Sequence, residues 1–149
     1  MRSLEKRLER GLLHPIDYLR RRRTRGALQV DAGEREVRRG GELEARVTIA
    51  SPGGLGEVEI GLVCTEFYAC DVRGSDDGRS RGTSSATAHE AWLAVQGTPG
   101  LHSIRLTVPA EAPFSYEGEL LCFTWEVVAR GRRKHRLDAQ ARHEISVLP

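Results

Sequence analysis

Leu106-Thr107-Val108-Pro109-Ala110-Glu111-Ala112-Pro113-Phe114-Ser115-Tyr116-Glu117-Gly118, followed by the apolar run from Leu120 to Ala129, is the stretch that decides the fold class. Proline has no backbone N–H to give to a sheet ladder, so Pro109 and Pro113 interrupt pairing, while the runs on either side are rich in β-branched and aromatic residues. The stretch therefore reads as strand, proline-punctuated crossover, strand. Such a crossover is what a chain needs to pass from one sheet of a sandwich to the other.

Outward from this stretch, the same two-residue rhythm recurs. Leu43, Ala45, Val47 and Ile49 alternate with Glu42, Glu44, Arg46 and Thr48, and Val58, Ile60, Leu62 and Cys64 alternate with Glu57, Glu59 and Thr65. Successive side chains of a strand point to opposite faces, so each set assigns one face to a core and the other to solvent. Shorter versions lie at Leu28 and Val30, at Ile104, Leu106 and Val108, and at Ile145 and Val147. Between them stand Arg39-Gly40-Gly41, Ser51-Pro52-Gly53-Gly54, Gly97-Thr98-Pro99-Gly100 and Glu117-Gly118, which carry turn chemistry. Arg73 to Ala88, with Asp76-Asp77-Gly78 and a run of serines and threonines, reads as a long mobile loop. About seven strands with no helical period between them predict an all-β, antiparallel, immunoglobulin-like sandwich.

Upstream of Gly26 the pattern changes. Leu4, Leu8, Leu12 and Ile16 recur every four residues, with Ser3 placed to cap, and predict a short amphipathic helix that Pro15 should kink. Arg20, Arg21, Arg22, Arg23 and Arg25 follow, and Gly26 provides a hinge. We therefore divide the chain into a basic N-terminal helical arm, residues 1–26, and a sandwich domain, residues 27–149. The arm has nine Lys or Arg against three acids, +6, and the rest has fourteen against eighteen, −4, so the overall +2 describes neither part.

No run approaches the roughly 20 apolar residues of a membrane span, and charges interrupt the N-terminus too often for a signal-peptide core. The expected location is the cytosol. Cys64, Cys70 and Cys122 are an odd, widely spaced set without a Cys-x-x-Cys pair, so they read as reduced thiols.

A Gly-Gly turn before an alternating strand (Arg38 to Ile49), a long strand ending in aromatics (Val58 to Tyr68), a Val-Pro-x-x-x-Pro-x-Ser-Tyr-x-Gly crossover (Val108 to Gly118) and a Trp-x-Val-x-Ala strand (Trp125 to Ala129) occur in that order. In this the chain resembles arrestin-like β-sandwich domains, including the bacterial sporulation-control relatives of arrestins and, more distantly, the retromer subunit with the arrestin fold. The resemblance covers most of residues 27–149. Such families usually carry two tandem sandwiches, and this chain has room for one. What the resemblance implies is a non-catalytic adaptor that binds a protein partner through an edge strand or loops.

Chemical constellations are sparse. His14, His89, His102, His135 and His143 share no ligand spacing, and no Gly-x-Ser-x-Gly elbow is present, so we expect no catalytic residues, no cofactor and no enzyme activity. Cys64 and Cys70 share a strand parity, but a thiolate metal site lacks its close ligand pair, and buried cysteine commonly serves as a small hydrophobe. Asp71, Asp76 and Asp77 miss the spacing of a calcium loop. Trp92 and Trp125 are assigned to packing.

The basic segments are where function competes with plain solvation. Arg20 to Arg25, and a second cluster of Arg130, Arg132, Arg133, Lys134 and Arg136 at the tip of the final hairpin, suit an anionic membrane surface or, less well, nucleic acid, for the arm's only aromatic is Tyr18. If arm and tip lie on one side they form a continuous anion-attracting surface. The leading expectation remains a cytosolic adaptor that uses Leu4, Leu8, Leu12 and Ile16 as a docking helix. Self-association into a homo-oligomer, with a second copy supplying the other lobe, is a further arrangement the sequence allows.

Overall fold

The alternation of apolar and polar residues is realised as two stacked sheets. The computed structural model describes residues 27–50, 55–73, 79–132 and 139–149, and among them every regular element is a strand. In chain order these are β1 (Leu28–Ala32), β2 (Glu36–Arg38), β3 (Glu42–Ile49), β4 (Val58–Arg73), β5 (Arg79–Val95), β6 (Gly100–Thr107), β7 (Tyr116–Glu117), β8 (Leu121–Gly131) and β9 (Ala139–Leu148). One sheet has the order β1-β3-β6; the other has the order β2-β9-β8-β4-β5, with β7 paired to the start of β8.

Burial follows parity in β3 and is nearly continuous through the centre of β4 and β8, where Val63, Thr124 and Val128 of the opposite parity are buried as well. Leu43, Ala45, Val47 and Ile49 of β3 and Val58, Ile60, Leu62 and Cys64 of β4 are buried in one apolar cluster. Trp125, Val127 and Ala129 of β8 and Ile145 and Val147 of β9 complete its centre. The cluster draws on both sheets, so the sheets pack face to face as a β-sandwich, and neither closes on itself. Each fully buried aliphatic side chain stabilises this layer by about 1.5–3 kcal/mol relative to exposure.

The crossover lies where it was read. β6 ends at Thr107 in the three-stranded sheet, and the chain enters the larger sheet at β7 and β8. Val108 is locked to the Gly40-Gly41 turn, its carbonyl accepting from Gly40 N at 2.8 Å and its N–H donating to Gly41 O at 2.9 Å. Gly40 has φ +76, a left-handed conformation that side chains disfavour. At the far end Trp125 Nε1 donates to Pro113 O at 2.9 Å. Ser115 N donates to Val147 O, and Val147 N donates to Ser115 Oγ, both at 2.8 Å. Ser115 thus takes over the partner role that β8 leaves when β9 runs past Ile145, the last β9 residue paired to it.

Three expectations are corrected. The strands number nine among the described residues, because β2 and β7 are too short to show a period. The sandwich is not wholly antiparallel: β2 pairs with β9 in parallel, Val37 opposite Val147, since β2 enters the large sheet from the other layer. Most consequentially, the supposed loop from Arg73 to Ala88 is largely strand. β4 continues to Arg73 and β5 begins at Arg79, paired along their length with Arg73 opposite Arg79. Its serines and threonines gain ladder partners from β4, and a non-local partner overrides turn-like composition.

The helix expected over Leu4, Leu8, Leu12 and Ile16, the arginines Arg20, Arg21, Arg22, Arg23 and Arg25, the turn at 51–54, the Asp76-Asp77-Gly78 segment, and Arg133, Lys134 and Arg136 lie outside the described residues.

Candidate functional site

β8 and β9 form the final hairpin, Gly131 opposite Ala139, and the second basic cluster starts at Arg130 inside β8, beside their connection. Of that cluster, Arg130 and Arg132 are described. Arg132 extends the sheet by one step, donating from its N–H to Glu57 O and accepting from Gly56 N. Arg130 is engaged on the outer face: its Nε donates to Glu59 Oε2 at 2.7 Å, and its guanidinium carbon sits 3.7 Å from the centroid of the Trp92 ring. An anion there would compete with Glu59 for the same fork.

Trp92 reaches this position because of Gly61. The two residues are opposite each other in the β4–β5 ladder, and a Cβ on Gly61 would lie 2.4 Å from Trp92 Cε3. The indole therefore lies flat on the glycine backbone, donating from Nε1 to Glu90 Oε2 at 3.2 Å. Glycine inside a strand marks such a close approach. Gly61 stands mid-run in Val58 to Cys64, and that was the signal the sequence offered for this cluster.

Further local ion pairs lie on both outer faces. Arg142 Nη1 donates to Glu126 Oε2 at 2.8 Å. On the three-stranded sheet Glu44 accepts from Ser103 Oγ at 2.6 Å and from Arg46 Nε at 3.1 Å. The Ser103 hydrogen bond, then Arg46, hold the Glu44 carboxyl below its ordinary value. Exposed pairs of this kind add little stability, but they neutralise the faces.

The inner face is dry at its centre. Cys64 is fully buried, and its burial, with the charges of Glu66 and Cys122 contributing, pushes its thiol up to about 12. Cys122 pairs across the ladder with Phe67, which puts it on the opposite face from Cys64 and Cys70. Among the described residues no three His, Cys, Asp or Glu side chains form a group able to hold a metal ion. His89 lies against Trp125, ring centroids 5.6 Å apart, and His102 Nε2 donates to Thr98 O at 2.7 Å. No described helix is long and apolar enough to cross a membrane.

Two features position the basic segments. Ala27 precedes β1, and Leu28 Cδ1 approaches within 3.5 Å of where a Cβ on Gly131 would lie, at the base of the β8–β9 connection. The point where residues 1–26 join the sandwich and the root of the second basic cluster therefore share one end of the molecule.

No family model matches this chain, and no curated protein does. Among solved structures the sporulation control protein Spo0M of Bacillus subtilis is similar, with a TM-score of 0.54 and 20% identity over 83% of this chain. The match covers 50% of the Spo0M chain, so the present chain spans about half the length of that protein. At this distance the similarity establishes a related fold.

Proposed function

We propose that this chain is a non-catalytic adaptor, a single arrestin-like and immunoglobulin-like sandwich that works in the cytosol and binds a protein partner through an edge strand or loops. The observation that carries this reading is the open architecture: among the described residues β1 and β6 flank one sheet and β2 and β5 flank the other, with no closure between them. An open edge accepts a partner's strand, and loops on a rigid sandwich vary without disturbing the core. The Leu4, Leu8, Leu12 and Ile16 stripe supplies the docking element. Affinity capture with the intact chain, followed by cross-linking and mass spectrometry, should recover a specific protein whose cross-links fall on an edge strand or connecting loop. Recovery of none, or turnover in broad hydrolase screens, overturns the reading.

A second reading is favoured by one specific observation, the proximity of Leu28 at the start of β1 to Gly131 at the end of β8. Arg20 to Arg25 and the Arg130 to Arg136 cluster then act together on an anionic lipid surface or on nucleic acid, each base near a membrane contributing about 1 kcal/mol. Co-sedimentation with phosphatidylserine vesicles and nucleic-acid mobility shifts should show salt-sensitive binding that is lost on deleting residues 2–25. Binding that resists salt, or survives the deletion, excludes the mechanism.

A further inference from the structure

We propose that β5 pairs antiparallel with β5 of a second copy of this chain, centred on Ser85, so that two large sheets become one continuous sheet. The inference stands apart from the adaptor reading and holds whether or not a further partner exists.

β5 is 17 residues long, and among the described residues β4 is the only strand that pairs with it. Natural sheets blunt such edges with charges, prolines, bulges or short strands. The other three edges show these devices: β2 has three residues, β1 has five and carries Asp31, and β6 has eight and carries Arg105. β5 carries Arg79, Arg81 and Glu90 toward its ends and an irregularity at Ala88, but shows none of these devices from Gly82 to Thr87. That run has no charge and no proline, and Thr83, Ser85, Ala86, Thr87 and Ala88 are exposed. The irregularity between Cys64 and Thr65, where Ala88 is the unpaired β5 residue, ends the regular stretch and sets its limit.

The run also specifies its occupant. Thr83-Ser84-Ser85-Ala86-Thr87 reads almost the same in both directions. A two-fold axis at Ser85 places Thr83 opposite Thr87, Ser84 opposite Ala86 and Ser85 opposite itself. Every pair is small or hydroxylic, hydroxyl pairs across a ladder are favourable, and no like charges meet. Self-complementarity of one patch is the condition for a closed two-fold dimer. A contact of one short strand pair lies at the small end of specific interfaces, so the dimer should dissociate on dilution.

The test is analytical ultracentrifugation of the intact chain across the micromolar range, beside two charge variants at exposed positions. The unsubstituted chain should approach twice the monomer mass as concentration rises. Thr83→Lys with Thr87→Lys sets like charges opposite each other twice and should weaken association by about tenfold or more. Thr83→Lys with Thr87→Glu sets opposite charges against each other in this register and should restore it. Hydrogen exchange at residues 82–88 of the unsubstituted chain, which needs no variant to fold, should slow with concentration. A monomer at every concentration overturns the proposal, as does a dimer that both variants leave intact. Loss of association in both variants overturns the Ser85-centred register, and exchange independent of concentration overturns the pairing.

Discussion

Gly61 and Cys64 show how much a single position in β4 can determine. A Cβ on Gly61 would lie 2.4 Å from Trp92 Cε3 and 2.8 Å from Ala91 O, and the carbonyl belongs to the backbone and cannot rotate away. Gly61→Ala should therefore destabilise the fold by about 1–3 kcal/mol, as overpacking does. Chemical denaturation checks this, and a double variant with Trp92→Ala should be less destabilised than the two single changes summed, because the ring clash is shared. Cys64 predicts a pH dependence. Its thiol rises from 9.0 to about 12 in the fold, so the unfolded chain ionises first. The stability held by the neutral thiol is complete below about pH 9 and is lost as pH rises from there toward 12. Denaturation midpoints of the native chain should fall across that window more steeply than those of Cys64→Ala. At pH 8 a thiol reagent should label Cys64 only after unfolding. Cys64 was legible in the sequence as an inward residue. The Trp92 stacking on Gly61 was not, because it depends on which strand lies beside β4.

At the scale of elements, the crossover and the β4–β5 hairpin were read with opposite success. Pro109 and Pro113 announce a break in pairing locally, since proline lacks a donor wherever it stands, so Leu106 to Ala129 was legible from residue types alone. The sequence did not reveal that Ser115 bonds Val147 in both directions. Ser115→Ala should leave the part-buried Val147 N–H without its acceptor, costing about 1–3 kcal/mol and loosening the junction of β7, β8 and β9. Hydrogen exchange at Val147 should accelerate in that variant, and an unchanged rate would show that water replaces the hydroxyl. Arg73 to Ala88 failed as a loop because Ser, Thr and Gly favour turns only when no partner strand is available. β4 provides one, and the same residues then alternate as an extended edge.

For the whole molecule, the buried cluster among the described residues runs from Leu28 to Val147 and joins both sheets. A chain lacking residues 2–25 should therefore keep its β-rich circular dichroism and cooperative unfolding. Loss of cooperativity would mean that the arm is part of the domain's core rather than attached to it. The outer faces pair Arg130 with Glu59, Arg142 with Glu126 and Arg46 with Glu44.

By itself the sequence determined the all-β class, the inward face of β3, β4 and the paired part of β8, the position of the crossover and the charge asymmetry between residues 1–26 and 27–149. Each of these follows from local periodicity, proline chemistry or charge counting, which need no knowledge of neighbours. Only the tertiary structure decided that Thr83 to Thr87 is strand, that β2 joins β9 in parallel, that Trp92 rests on Gly61 beneath Arg130, and that Leu28 lies beside Gly131. Those outcomes depend on which distant strands lie side by side, and sheet pairing joins residues that the chain itself keeps far apart.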